Sequence, residues 1–292
     1  METDTTSGED EDPIAERHDA VRRANRTETA EDYVEAIEAL QRTHGEARVR
    51  DLATTFGVSH VTVSRTVDRL QRDGWVQTEP YRAIELTQRG AELAVRSRKR
   101  HAVVLRFLLA LGISPPAALA DAEGIEHHVS PTTLDVLRAF ADERPLAHDL
   151  EEVVATLQDS ATDASRFARV REAHATELVE DYVEAISDVG ADGTDVRVRD
   201  LAARFGVSHV TVSRTLGRLQ RDGYVDTAPY RPVTLTDRGR ALAERSRARH
   251  ETVLAFLLAL GVERATAEID AEGVEHHVGD ETLERFRTFT QR

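Results

Sequence analysis

The 292-residue sequence predicts a mainly α fold with small β-hairpins, made by tandem duplication. Three observations carry this. "GVSHVTVSRT" stands unchanged at Gly57 to Thr66 and at Gly206 to Thr215. "RVRDLA", "RLQRDG" and "EDYVEAI" recur with it at the same offset of 149 residues, so residues 28–140 and 177–289 align without net gaps. A period this long marks duplicated domains, not a solenoid. Within each copy, helical periodicity surrounds one short alternating stretch bounded by turn residues.

The elements of the first copy follow in order. Ile14 to Thr43 reads as a helix, with a break expected at "NRTET"; its counterpart runs from Ala164 to Asp188. "RVRDLATTFG" is a short helix closed by Gly57, a residue suited to the left-handed C′ position. Ser59 is a good N-cap for the next helix, whose apolar face is expected to hold Val61, Val67 and Leu70. Gly74 stops that helix. "WVQTEPYRAIELT" alternates like two strands around a turn at Glu79 to Arg82, where Pro80 is tolerated as it would not be inside a central strand. A long helix then covers Gln88 to Leu111, "DAEGIEHHV" sits on a further short helix, and Pro131 to Ala141 closes the copy. Between the copies, Leu146, Leu150, Val153, Val154 and Leu157 have the spacing of an amphipathic helix.

Composition excludes several classes. There is no cysteine, so disulfides, thiolate zinc sites and iron–sulfur clusters are ruled out. The one methionine is Met1. No 18-residue apolar run suggests a membrane span, and "METDTTSGEDEDP" lacks the basic and apolar regions of a signal peptide, so a cytoplasmic location is expected. Net charge is −15, and Lys99 is the single lysine beside 37 arginines. This acid-rich, lysine-poor balance resembles proteins of salt-accumulating microbes. Melting across a KCl series tests that reading, and indifference to molar salt would count against it.

Global acidity argues against nucleic acid, but local charge does not. From Arg82 to Arg100 six basic residues face two acidic ones, and from Arg48 to Arg72 five arginines face two aspartates. Helix, turn, helix, then β-hairpin is the order of a winged helix-turn-helix. A capped helix start carrying short polar side chains suits entry into the DNA major groove. The candidate DNA-binding residues there are Ser59, His60, Thr62, Ser64 and Arg65, repeated as Ser208, His209, Thr211, Ser213 and Arg214. Arg82 and Arg231, at the hairpin tips, are placed to reach a minor groove or phosphates. A serine- and threonine-rich start would also arise from capping alone; the repetition and local charge favour the interface.

A second constellation points to metal. Glu123, Glu126 and His127 lie at i, i+3, i+4, on one side of a helix. Asp32 and Glu35 lie at i, i+3 on the first helix, and His101 sits in "RSRKRH". The second copy repeats all six as Asp181, Glu184, His250, Glu272, Glu275 and His276. Any one of these alone would be an ordinary surface pair or packed histidine; three segments that all offer hard ligands and all recur favour a site. Oxygen and imidazole donors without sulfur suit Mn²⁺ or Fe²⁺, and less selectively Zn²⁺. Asp32, Glu35, Glu123 and Glu126 carry four negative charges, which two divalent ions per copy neutralise; one ion would leave two clustered carboxylates uncompensated. His128 and His277 are expected to point away as surface or supporting residues. The glycine between the two glutamates has no reading beyond a close approach.

"EDYVEAI", "GVSHVTVSRTVDRLQRDG", "RSRKRH", "FLLALGI" and "DAEGIEHHV" together resemble the manganese-responsive repressors of the diphtheria-toxin-repressor superfamily, over most of both copies. The resemblance implies a homodimer, one winged helix per subunit and a dinuclear Mn²⁺ site whose ligands fall on the six residues named in each copy. Iron-responsive relatives place sulfur ligands where this chain has Asp32 and Glu123, so manganese is implied, with Fe²⁺ the alternative. Two copies in one chain then imply a single-chain pseudodimer that reads an inverted-repeat operator in double-stranded DNA, although pairing between chains, with further self-association, stays open. The expected domains are an acidic tail and helix start (1–26), a winged helix (27–87), a helical metal-binding and dimerisation domain (88–141), a linker (142–176), a second winged helix (177–236) and a second helical domain (237–292). The expected function is metal-dependent repression of manganese-uptake genes and not catalysis. A dinuclear metallohydrolase is the rival, since carboxylate–histidine pairs also activate water, but no further general acid stands beside the ligands. A metal-independent regulator with an organic effector is the other.

Overall fold

The computed structural model describes residues 13–79, 82–144, 163–228 and 231–291, with side chains described in 27–79, 82–144, 176–228 and 231–291. In chain order the elements are α1 (Pro13–His44), α2 (Val49–Phe56), α3 (His60–Arg72), β1 (Val76–Gln77), β2 (Glu85–Leu86), α4 (Gln88–Ala110), α5 (Pro115–His128) and α6 (Pro131–Asp142), then α7 (Asp163–Val189), α8 (Val198–Phe205), α9 (His209–Arg221), β3 (Val225–Asp226), β4 (Thr234–Leu235), α10 (Asp237–Ala259), α11 (Arg264–Val274) and α12 (Asp280–Thr290). The expected break at "NRTET" is absent: α1 runs unbroken, because that stretch holds no proline or glycine to interrupt its hydrogen-bond ladder. The expected linker helix carrying Leu146 to Leu157, and Pro80, lie outside the described residues. Among the described residues no helix is long and apolar enough to cross a membrane.

The chain divides into two units, residues 24–177 with 248–292, and residues 1–23 with 178–247. In the first unit, one apolar core joins α1 to the helix-turn-helix through Val34, Ile37, Leu52, Phe56, Val63, Val67 and Leu70. Tyr33 stacks on Phe56 with ring centroids 4.2 Å apart. The turn between α2 and α3 is fixed at both ends. Gly57 has φ 62°, a left-handed conformation in which a side chain would be strained, and its N–H returns to Ala53 and Thr54. Ser59 then caps α3 by accepting from the Thr62 N–H at 3.2 Å. The buried face of α3 is Val63, Val67 and Leu70; Val61 was expected in it but is 60% exposed. The spacing explains this, since 63, 67 and 70 follow i, i+4, i+7 and residue 61 falls about 200° round the helix from residue 63. The wing is short, pairing Val76 with Leu86 and Gln77 with Glu85.

The second core of this unit draws on both repeats. Phe107, Leu108, Ile125 and Leu137 from α4 to α6 pack in one cluster with Phe256, Leu257, Val274 and Phe286 from α10 to α12. The helical domains of the two repeats therefore pair within one chain. Helix starts are capped across the junction: the Gly279 N–H before α12 donates to Asp121 Oδ2 at 2.8 Å, and the Ser130 N–H before α6 donates to Asp270 Oδ2 at 3.0 Å.

The other unit holds the second winged helix. Tyr182 and Ile186 of α7 join Leu201, Phe205, Val212, Leu216 and Leu219 in its core. Gly206, at φ 59°, and Ser208, accepting from the Thr211 N–H, repeat the turn geometry of the first copy. Val225 pairs with Leu235 and Asp226 with Thr234 in its wing.

Candidate metal centre and DNA-facing surface

The first repeat brings all six candidate ligands together. Asp32 and Glu35 lie one turn apart on α1, His101 on α4, and Glu123, Glu126 and His127 near the end of α5. His101 Nδ1 lies 2.8 Å from Glu126 Oε2 and 3.8 Å from Glu123 Oε2. His127 Nε2 lies 3.4 Å from both Asp32 Oδ1 and Glu126 Oε1. Glu126 and His127 have side chains only 2% exposed. Burial raises Asp32 to about 6, and raises Glu35 to about 7 with help from the neighbouring Glu126 carboxylate. Glu35 Oε1 is buried with no hydrogen-bond partner among the described residues. An acceptor in that position is expensive to leave unmet, and a cation would satisfy it.

Sequence reasoning missed Glu31. It is buried, it accepts from Arg100, and it lies 2.7 Å from His127 Nδ1. Burial works against its charge, but His127 and Arg100 pull it down to about 2. Burial likewise opposes a charge on His127, yet Asp32 and Glu31 hold that imidazole well above its ordinary value. With Nδ1–H turned to Glu31, Nε2 faces the cage, the arrangement that orients a ligating histidine. The signal in the sequence was weak: Glu31 is simply the acid beside Asp32, and only the fold supplies its partner Arg100.

In the second repeat the same half of the cage is built. His250 Nδ1 lies 2.6 Å from Glu275 Oε2 and 3.8 Å from Glu272 Oε2, and His276 Nε2 lies 3.5 Å from Glu275 Oε1. Here α11 ends at Val274, so Glu275 and His276 follow the helix instead of riding on it. Arg249 holds this end by donating to the carbonyls of Glu275 and Val278. Asp181 and Glu184 lie on α7, in the other unit, one turn apart and partly buried. Among the described residues no three His, Asp or Glu side chains already converge as a coordination sphere. The imidazoles are instead turned onto carboxylates, as mutual pairing of these donors dictates. The donor set fits a hard divalent cation: four carboxylates and two imidazoles, clustered, buried and short of positive charge.

His128 and His277 are not surface residues. His128 is buried and His277 half-buried between the repeats, and the two rings stack on each other, centroids 4.7 Å apart. This also accounts for the glycine in "DAEGIEHHV". A Cβ on Gly124 would stand 2.1 Å from His277 Nδ1, and one on Gly273 would stand 2.3 Å from His128 Nδ1. The phrase therefore writes two faces of one helix. Asp121, Gly124 and His128, at i, i+3, i+7, meet the other repeat, while Glu123, Glu126 and His127 meet the cage.

The candidate DNA residues are all exposed: Ser59, His60, Thr62, Ser64, Arg65 and Arg82, and Ser208, His209, Thr211, Ser213, Arg214 and Arg231. Thr62 is partly committed locally, its hydroxyl 2.9 Å from Ser59 Oγ. Between α3 and the wing of the first repeat runs a groove of about 720 Å³ lined by Arg48, Arg50, His60, Ser64, Asp68 and Arg82, among others. Arg48 and Arg50 were not singled out from the sequence, although "RVRD" carried them. Three arginines around a polar groove suit a phosphate backbone.

Residues 26–84 and 174–233 each match the family described as iron dependent repressor, N-terminal DNA binding domain. Residues 87–144 and 236–292 each match the iron dependent repressor, metal binding and dimerisation domain. The chain is 52% identical over 126 residues to the transcriptional regulator MntR of Escherichia coli O6:H1, covering 43% of this chain and 81% of that protein. It is 51% identical over 126 residues to the transcriptional regulator MntR of Salmonella typhimurium, covering 43% and 80%. Similarity extends to the HTH-type transcriptional regulator MntR of Listeria innocua, 35% identical over 138 residues, covering 46% and 97%.

Proposed function

Because the chain belongs to the iron-dependent repressor family, carrying both of that family's domains twice, we propose that it is a Mn²⁺-activated transcriptional repressor working as a single-chain pseudodimer in the cytoplasm. It acts on manganese-uptake genes when Mn²⁺ is plentiful. The observation that carries this reading is the double use of α1. Its Asp32 and Glu35 enter the carboxylate–histidine cage, while Tyr33, Val34 and Ile37 between and beside them enter the core that supports α3.

Asp32, Glu35, His101, Glu123, Glu126 and His127 would hold metal in the first repeat, and Asp181, Glu184, His250, Glu272, Glu275 and His276 in the second. Bound cations supply positive charge to carboxylates that otherwise repel or take up protons, and two per repeat balance the four negative charges. Glu31 holds His127 in the tautomer that offers Nε2. With its ligands joined, α1 is tied to α4 and α5, so α3 and the wing are held at a fixed place on DNA. Metal then favours the DNA-competent arrangement, and by linkage DNA tightens metal binding. Oxygen donors at Asp32 and Glu123 favour Mn²⁺ over softer ions. The identical starts of α3 and α9 support reading of the same half-site twice, in an inverted repeat with half-sites about one helical turn or more apart.

The test is binding of the full chain to duplexes from its own promoter and from metal-transporter promoters, with Mn²⁺, Fe²⁺, Zn²⁺ or chelator, at fixed high salt because phosphate contacts weaken steeply with salt. Binding that needs Mn²⁺ and is lost in chelator is expected. Binding indifferent to chelator would contradict the proposal.

A further inference from the structure

In a dimer of identical chains every interface contact is made twice, residue i to j and j to i across the two-fold axis, so the two sides cannot differ. Fusion removes that constraint, and the junction between these repeats has diverged. Its core is built from equivalent aromatic pairs: Phe107 and Phe256, with centroids 6.1 Å apart, and Phe140 and Phe289, edge-on at 5.8 Å. One further ring breaks the symmetry. Phe286 of α12 stacks on Phe256 of its own repeat at 3.7 Å, behind the ring that meets Phe107, whereas the equivalent position in α6 is Leu137. Both are buried in the one core that spans the repeats.

The rim is unequal in the same sense. On one side Ser114 donates its N–H to Glu281 Oε1 and its hydroxyl to Glu281 Oε2, both at 2.7 Å, and Arg285 donates to the Gly112 carbonyl at 2.9 Å. The equivalents of Ser114, Glu281 and Arg285 in the opposite repeats are Glu263, Thr132 and Val136. Glu263 is already used as the N-cap of α11, accepting from the Thr266 N–H at 3.2 Å. The N–H groups of Ala265 and Thr266 hold its carboxyl below the usual range, so it is ionised.

We propose that this face is heterotypic: the helical domain of the first repeat accepts that of the second, and the second does not accept a second copy of itself. Two second repeats would add a ring to a close-packed core and set Glu263 against Glu281 on both rims. Two first repeats would put leucine at both positions and leave volume unfilled. The unlike pair fills the core once and meets no like charge at either rim. The partner this surface fits is thus the chain's own other repeat, and a second molecule can occupy it only by offering the opposite repeat.

The test uses the full chain. Leu137→Phe and Phe286→Leu should each lower the thermal midpoint by a few degrees, and the double variant L137F/F286L, which moves the ring across the junction, should recover most of that loss. At the rim, Ser114→Glu should lower the midpoint at low salt, and S114E/E281T should restore it by copying the Glu263–Thr132 rim. Sedimentation should show these double variants retaining the wild-type mass. Additive loss in either double variant overturns the proposal. Should L137F fail to fold, the Ser114 and Glu281 variants decide it alone.

Discussion

Replacing Gly124 by alanine should destabilise the junction between the repeats, against the ordinary effect of that substitution in a helix. The added Cβ would stand 2.1 Å from His277 Nδ1, 2.4 Å from its Cγ and 2.7 Å from its Cβ. The last distance matters most, because turning the imidazole away leaves its Cβ in place. Relief requires a shift of the α5 helix or of the segment carrying His277, and it breaks the stack on His128. Overpacking of this kind costs about 1–3 kcal/mol, and the upper end applies where backbone must move. Alanine returns about 1 kcal/mol of helix propensity over glycine. The net loss is about 2 kcal/mol, a fall in midpoint of about 4–8 °C for a domain of this size. Gly217, on α9, is the internal control: a Cβ there meets nothing within 4 Å, so Gly217→Ala should stabilise by about 1 kcal/mol. Differential scanning calorimetry of each variant beside the wild type reads both. His277→Gly in the Gly124→Ala background, which removes the Cβ as well as the ring, should relieve the clash, whereas His277→Ala, which keeps that Cβ, should relieve it only in part. Gly124→Ala as stable as wild type, with Gly217→Ala stabilising as expected, would refute the close approach.

Three further outcomes are expected. Asp32 is raised from 3.8 to about 6 and Glu35 from 4.5 to about 7 by burial, and a raised carboxyl stabilises the fold below its unfolded value and loses that contribution as pH rises through the folded one; the metal-free protein should therefore lose stability between about pH 4 and 7, Mn²⁺ should suppress the loss, and a flat midpoint-against-pH profile in chelator would contradict the reading. Asp121→Ala removes the acceptor that caps α12 across the junction and should cost about 1–3 kcal/mol in urea denaturation, with Asp121→Asn keeping most of it. Arg82→Ala with Arg231→Ala should weaken DNA binding evenly across sequences and reduce the log–log salt slope by about 2, whereas an unchanged slope would remove these arginines from the phosphate contacts.

Much of this architecture was legible because it rests on local rules. Gly57 and Ser59 announce the helix-turn-helix through backbone conformation and capping, and the structure keeps both. The clustering of Glu123, Glu126 and His127 with Asp32 and His101 was legible because helical spacing puts the first three on one side of α5. Val61 was misread although its spacing from Val67 and Leu70 was available. Other features depend on which surfaces meet. Nothing local to Glu31 says that Arg100 and His127 will reach it. His128 and Gly124 look like an idle neighbour and a weak helix position until the other repeat is placed against them. The stripe Asp121, Gly124, His128 was present in the sequence, but its meaning required knowing that the repeats pair within the chain.

The central claim is that the cage and the DNA-facing helices share one equilibrium. Its most direct test is a closed thermodynamic cycle: Mn²⁺ affinity of the full chain alone and when bound to a duplex it selects, beside duplex affinity with and without Mn²⁺. The two ratios must be equal, and both should exceed about tenfold, a coupling of about 1.4 kcal/mol, in the direction of mutual tightening. Mn²⁺ affinity unchanged by the duplex would contradict the account, whatever either partner does alone.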